Sequence, residues 1–199
     1  MDKAAFIETV SPMAMKTFID YGVPASITIA QAILESRWGD SKLTKKAKNY
    51  FGIRANKGYT GNTFNIDTGE YVNGNYIIDK AAAFRSYQDS QQSFTDHAEF
   101  LLNNKRYNHL FDNENPNDWA TGLQKAGYST SPDYASTLKT IIRQNGLTAF
   151  DSKAKELENV GTVVGKHYRR NRTLFIVGGS FVLLAAGVLT YKHYKRNAA

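Results

Sequence analysis

The chain contains no cysteine, so neither a disulfide framework nor a thiolate metal site can hold it together. Its four histidines, His97, His109, His167 and His193, show no metal-ligand spacing, and no metal or cofactor is expected. Acidic residues are scarce in one place: residues 151–199 hold nine Lys/Arg against three Asp/Glu. Residues 1–150 hold 16 against 15, so the net charge of +7 belongs to the tail and the main domain carries no nucleic-acid footprint. Low-complexity segments and internal repeats are missing, as is an apolar core near the N-terminus ("MDKAAFIETVSPMAMK") that would read as a secretory signal. Present in quantity are hydrophobic residues, 42% of the total with 13% aromatic, enough for a packed core in a chain of 199 residues.

One long uncharged run occurs. "TLFIVGGSFVLLAAGVLTY", residues 173–191, would reach about 29 Å as a helix, close to the hydrocarbon thickness of a bilayer. Arg169, Arg170 and Arg172 precede it and Lys192, Lys195 and Arg196 follow. Tyr168, Tyr191 and Tyr194 stand where interfacial aromatics belong. The expected organisation is a domain over 1–150, a polar then basic linker over 151–172, a single transmembrane helix over 173–191 anchored in a lipid bilayer, and a short basic tail over 192–199. The flanking charges do not decide which side of the membrane the domain occupies.

Within the domain, Asp2 reads as the N-cap of a first helix running to Tyr21 and stopped by Gly22, with Pro12 predicting a kink or break inside it. Pro24 and Ser26 open a second helix, "PASITIAQAILESRWGDS", apolar almost all round. A short basic helix follows over 41–48. Residues 51–82 are rich in Gly, Asn and β-favouring side chains, and the runs 63–72 and 75–78 flank Asn73-Gly74, a hairpin signal. Helical patterns return over 90–102, 117–126 and 132–145. The fold class is mainly α with a small β-hairpin lobe, plus the C-terminal transmembrane helix.

The second helix carries an acid at its end. At 100° per residue Ile27, Ala30, Leu34 and Trp38 share a face, and Glu35 lies at its edge beside Gln31, in the last turn. A helix C-terminus disfavours a carboxylate, and apolar neighbours disfavour it further by desolvation. Both raise the pKa toward a group that keeps its proton near neutrality, as a general acid must. A glutamate at a helix end is, equally, often a solvated charge with no role.

The words around it narrow the choice. "PASITIAQAILESRWGDSKL", "AKNYFGIRA", "TGEYVNG", "AAAFRSYQDSQQSFTDHAEFL" and "AGYSTSPDYA" follow in that order. The series resembles the bacterial and phage peptidoglycan N-acetylglucosaminidase family of flagellar and autolysin type, glycoside hydrolase family 73, over about residues 3–146. That resemblance implies a lysozyme-like α+β fold and hydrolysis of the β-1,4 bond between N-acetylglucosamine and N-acetylmuramic acid in peptidoglycan glycan strands. It implies Glu35 as the general acid, Glu70 of "TGEY" as the second acidic position with Asp67 and Asp79 as alternatives, and Tyr128 of "GYSTSPDY" beside the cleaved bond. Trp38, Asn49, Phe51 and Gly52 are implied as substrate-groove builders. Arg85 and His97 match the pattern and read as structural, hydrogen-bonding helix to β-lobe. Arg37 departs from the small residues usual at its position and places a charge at the groove edge. Competing readings are a muramidase or lytic transglycosylase, a non-catalytic glycan-binding protein kept at a membrane, and, through the tail, a bilayer-perturbing protein. A wall enzyme anchored outside the cell and a phage lysis or virion enzyme both fit.

Overall fold

A computed structural model describes the backbone of residues 2–72 and 75–160, and all of their side chains except those of 70–72, 75–77 and 160. Among the described residues seven α-helices, one 3₁₀ helix and one antiparallel hairpin follow in order. The helices are α1 (Lys3–Tyr21), α2 (Ala25–Ser36), α3 (Lys42–Ala47), α4 (Ser90–Asn103), α5 (Pro116–Lys125), α6 (Tyr134–Gln144) and α7 (Thr148–Val160). The strands β1 (Thr63–Val72) and β2 (Asn75–Arg85) lie between α3 and α4, and the 3₁₀ helix Lys105–Asp112 lies between α4 and α5.

Local signals account for most of the boundaries. Asp2 accepts from the Ala5 N–H, Ser41 from Thr44 and Asp89 from Gln92, each a side-chain oxygen satisfying a helix-start donor. Pro116 occupies the first turn of α5, where its missing N–H costs nothing. Gly22 closes α1 in the left-handed region at φ 83°. The break expected at Pro12 does not occur, and α1 runs unbroken through it. Pro12 is exposed, and the Ser11 hydroxyl donates at 3.5 Å to the Glu8 carbonyl that a residue-12 N–H would otherwise serve.

α2 is the centre of the molecule. Every residue from Ala25 to Ile33 is buried, with Ile27, Ile29 and Ala30 fully enclosed. Phe6, Val10 and Phe18 of α1, Phe94 and Leu101 of α4, Leu123 of α5 and Leu138 of α6 belong to the same core. This is why the sequence of α2 shows apolar residues on all faces.

The hairpin is larger than its sequence suggests. β2 runs to Arg85, seven residues beyond the expected end, because "KAAAFR" lacks the alternation that marks a strand. A bulge sets two β2 residues, Lys80 and Ala81, opposite Asp67, and the Asp67 carboxylate accepts from the N–H of Ala81, which sits at φ 56°. Glu70 pairs in the ladder with Ile77, and its side chain lies outside the described residues, as does the Asn73-Gly74 turn.

The boundary expected at 150 is corrected. α7 continues the domain to residue 160: Ala154 is fully buried in the core, and Asp151 is buried against the start of α2. The first ten residues assigned to a linker are therefore structural. Among the described residues no helix is long and apolar enough to cross a membrane, and the uncharged run 173–191 lies outside them.

Candidate active site

Both ends of α2 are built with care. At its start Pro24 supplies no side-chain cap, and the carboxylate of Asp151, 125 residues away, accepts from the Ser26 N–H at 2.9 Å. At its end the chain reverses through three successive left-handed residues, Arg37, Trp38 and Gly39. The Trp38 N–H returns to the Ile33 carbonyl at 3.0 Å, the Ser41 N–H to Ser36 at 2.9 Å, and the Ser36 hydroxyl accepts from Gly39 at 2.7 Å. Gly39 is required there: at φ 76° a Cβ would also fall 2.9 Å from the Phe6 ring. The reversal keeps Glu35 in the last turn and turns the following chain away from it.

Glu35 is half-buried and, among the described residues, meets one donor, the Tyr134 hydroxyl from the start of α6, at 3.2 Å from its Oε1. Gln31, one turn earlier on α2, donates from Nε2 to the same phenol oxygen at 2.8 Å. Burial raises the Glu35 pKa from its ordinary 4.5 to about 7, against the opposing pull of the Tyr134 bond. That shift corresponds to about 3 kcal/mol of preference for the neutral acid. Tyr128 stacks on Tyr134, centroids 5.6 Å apart and planes at 22°. Burial and the neighbouring Glu35 charge hold both phenols well above their ordinary pKa, so each stays a hydrogen-bond donor. An acid poised near neutrality, flanked by two phenols that keep their protons, suits proton donation to a leaving oxygen.

The remaining expected residues divide. Phe51 lies beneath the site, stacked on His97 at 3.9 Å and edge-on to Phe94 at 4.9 Å. His97 is fully enclosed, neither ring nitrogen has a partner among the described residues, and burial lowers its pKa to about 3. The hydrogen bond expected from it to the β-lobe is not made among the described residues, and the ring stacks on Phe51 instead. Asn49 is buried and wholly committed: its amide donates to the Ile53 and Arg85 carbonyls at 2.9 Å each and accepts from the Ile53 N–H at 3.1 Å. It fastens the Phe51 loop to the foot of β2 and has no donor left for a ligand. Gly52 is exposed at φ 66°, and a Cβ there would meet open space, so close backbone packing is not its reason. Trp38 is half-buried, edge-on to Phe6 at 5.9 Å and covered by the Lys3 ammonium at 5.2 Å.

Arg85 does join hairpin to helix, through a 2.6 Å bond to Asp96 of α4, whose other oxygen accepts from Tyr87. Asp67 serves the bulge and Asp79 pairs with Arg54 at 2.7 Å, so both alternatives to Glu70 are engaged within the lobe. A cavity of about 590 Å³ opens along α4 between Arg85, Asp96, Phe100 and Lys105. Phe100 brings its wall to within one ring of Tyr128, at 6.4 Å. Among the described residues no group of His, Cys, Asp and Glu is placed to hold a metal.

Three participants escaped sequence reasoning. The helix repeat sets Gln31 beside Glu35, yet nothing local links either residue to Tyr134. Asp151 fell in the supposed linker.

A family model described as mannosyl-glycoprotein endo-beta-N-acetylglucosaminidase matches residues 11–147. The exo-glucosaminidase LytG of Bacillus subtilis is 37% identical over 164 residues, covering 80% of this chain and 57% of LytG. The peptidoglycan hydrolase FlgJ of Pseudomonas aeruginosa is 40% identical over 144 residues, covering 70% of this chain and 36% of FlgJ. The chain thus spans about half or less of the length of these curated relatives. Among solved structures, the catalytic domain of the autolysin Auto from Listeria monocytogenes superposes with a TM-score of 0.66 at 31% identity, covering 74% of this chain and 86% of that one.

Proposed function

Because this chain belongs to the mannosyl-glycoprotein endo-beta-N-acetylglucosaminidase family, we propose that it hydrolyses peptidoglycan at the β-1,4 bond between N-acetylglucosamine and N-acetylmuramic acid, with Glu35 as the general acid. The observation that carries this reading is the Glu35 carboxyl itself, half-buried at a helix end with its pKa raised to about 7 and one phenol donor among the described residues. Near neutral pH about half of the molecules hold the proton ready for the glycosidic oxygen. As the bond opens, the proton moves to the departing sugar and the carboxylate left behind keeps the Tyr134 hydrogen bond. Glu70, on β1, takes the second acidic role, activating water or stabilising the oxocarbenium-like transition state, and Tyr128 orients the water or the acetamido group. Stereochemistry follows from the separation of the two carboxylates, and the first-formed anomer reports it.

Residues 173–191 tether the domain to a membrane as a single span, with the catalytic domain facing the cell wall. The support is the uncharged run with its basic and tyrosine flanks. Carbonate extraction of membranes checks it: the full chain stays in the pellet, and a chain ending at residue 165 is released.

Digestion of purified sacculi tests the activity. New reducing-end N-acetylglucosamine, detected by mass spectrometry, supports the reading. Reducing N-acetylmuramic acid or its anhydro form turns it into a muramidase or a lytic transglycosylase. Failure of the parent chain to release any fragment leaves a glycan-binding protein.

A further inference from the structure

Gln31 is fully buried one turn before Glu35, and its hydrogen-bonding is lopsided. Its Nε2 donates to the Tyr134 hydroxyl at 2.8 Å, and that hydroxyl donates to Glu35 Oε1 at 3.2 Å. Its own Oε1 has no partner among the described residues. A buried amide oxygen left unpaired is destabilising; turning the carboxamide over would pair it with the Tyr134 hydrogen but leave the two Nε2 hydrogens unpaired. That reversal would strip Glu35 of its donor. The orientation observed leaves the fewer orphaned amide positions and keeps the chain of donors pointed at the acid.

We propose that Gln31 is a positioning residue which, through Tyr134, determines the oxygen of Glu35 on which the transferable proton resides. A phenol has one hydrogen to give. With Gln31 donating into its oxygen, Tyr134 gives that hydrogen to Oε1, and a proton on Oε1 would confront it. The acidic proton therefore sits on Oε2, the oxygen free for the glycosidic bond. After transfer, the same two donors in series stabilise the carboxylate, since each hydrogen bond polarises the next. Without Gln31 the series can run backwards: neutral Glu35 donates from Oε1 to Tyr134, and its proton is held on the wrong oxygen. Among the described residues the ionisable groups facing Glu35 are Tyr134 and Tyr128, and burial keeps both neutral.

This inference rests on Glu35 being the acid, and the experiment separates the two. In the full chain, Gln31→Met removes the donor at nearly constant volume. kcat is expected to fall about tenfold with KM held, equivalent to losing one hydrogen bond to a charged group. The basic limb of the kcat–pH profile should move upward, because the neutral acid gains an acceptor. Added to Tyr134→Phe, the same substitution should change nothing further. An equal fall in both backgrounds, or a fall at unchanged pH profile, overturns the relay. Gln31→Asn keeps an amide but falls short of Tyr134, and serves if the Met variant does not fold, with the same outcomes expected. A ¹³C titration of the Glu35 carboxyl without substrate reads the relay independently of turnover. An upward move in Gln31→Met supports it and an unmoved value overturns it, even if the parent chain cleaves nothing.

Discussion

The two ends of α2 each meet a carboxylate whose pKa burial raises, Asp151 buried and Glu35 half-buried, but the hydrogen bonds that offset the burial differ. Asp151 sits at the N-terminus, where helix N–H groups and the positive end of the dipole welcome a negative charge, and it accepts directly from the Ser26 backbone. Glu35 sits at the C-terminus, where the dipole repels it, and its only donor among the described residues is a phenol at 3.2 Å. The local backbone repeats the contrast. Asp151 caps an ordinary first turn, whereas the turn after Glu35 forces Arg37 and Trp38 into the left-handed region. Both acids are desolvated, but Asp151 offsets this with a backbone hydrogen bond at a helix start, whereas Glu35 has one phenol donor among the described residues. A proton donor working near neutrality needs such a place, since a well-solvated or well-paired glutamate gives up its proton too early.

The largest expected effect breaks the functional end. Glu35→Gln keeps shape and removes the transferable proton, and should lower the rate of sacculus hydrolysis by about 10²–10⁴-fold, measured as fragments released per minute. Undiminished turnover would remove Glu35 from the chemistry altogether. The same substitution should stabilise the fold. Folded protein holds the Glu35 proton more tightly than the unfolded chain does, with pKa values of about 7 and 4.5. As pH rises through that window the unfolded chain ionises first, so this group weakens folding by about 3 kcal/mol, fully felt above pH 7. Thermal melts should therefore place Glu35→Gln above the parent by roughly 6–12 °C at pH 8, and level with it at pH 4. A gap that does not open with pH would mean that Glu35 is not desolvated.

Asp151→Ala attacks the other end. It removes the acceptor from a buried N–H and the charge from a helix start, and should cost about 1–2 kcal/mol in denaturant midpoint. Hydrolysis per folded molecule should be retained, because Asp151 lies a full helix away from Glu35. Opposite signs from the removal of two carboxylates on one helix would be the plainest sign that its ends serve different purposes.

What could be read from the sequence follows the same division. The burial of α2, its limits and the place of Glu35 in the last turn come from periodicity and neighbouring residues, which act over a few positions. The caps Asp2, Ser41 and Asp89 are local as well. Tyr134 and Asp151 reach α2 across 99 and 125 residues, so no window reveals them. Their spacing depends on how the helices pack, which a single sequence does not state. Local reading also misjudged "KAAAFR", where alanine carries no strand signature and the end of β2 is held by the Arg54–Phe84 bridge and by Asn49. Glu70, Tyr128 and the groove residues came from the family resemblance. Of the groove set Asn49 proved to be a fastener, a role its residue type alone allows but does not announce.

The smallest effect lies at the turn that follows Glu35. Arg37 is exposed and left-handed at φ 53°, a conformation in which glycine carries no steric penalty. If the C-terminal end of α2 is strained by its backbone as well as by its carboxylate, Arg37→Gly should stabilise the domain by about 0.5–1 kcal/mol in urea titrations, the relief of the left-handed strain outweighing the entropy of the added glycine. Arg37→Lys keeps both charge and strain and should leave the midpoint in place. A loss of stability in the glycine variant would mean that the arginine side chain contributes more than its conformation costs. The unfavourable terms at this end of α2 would then reduce to the acid alone.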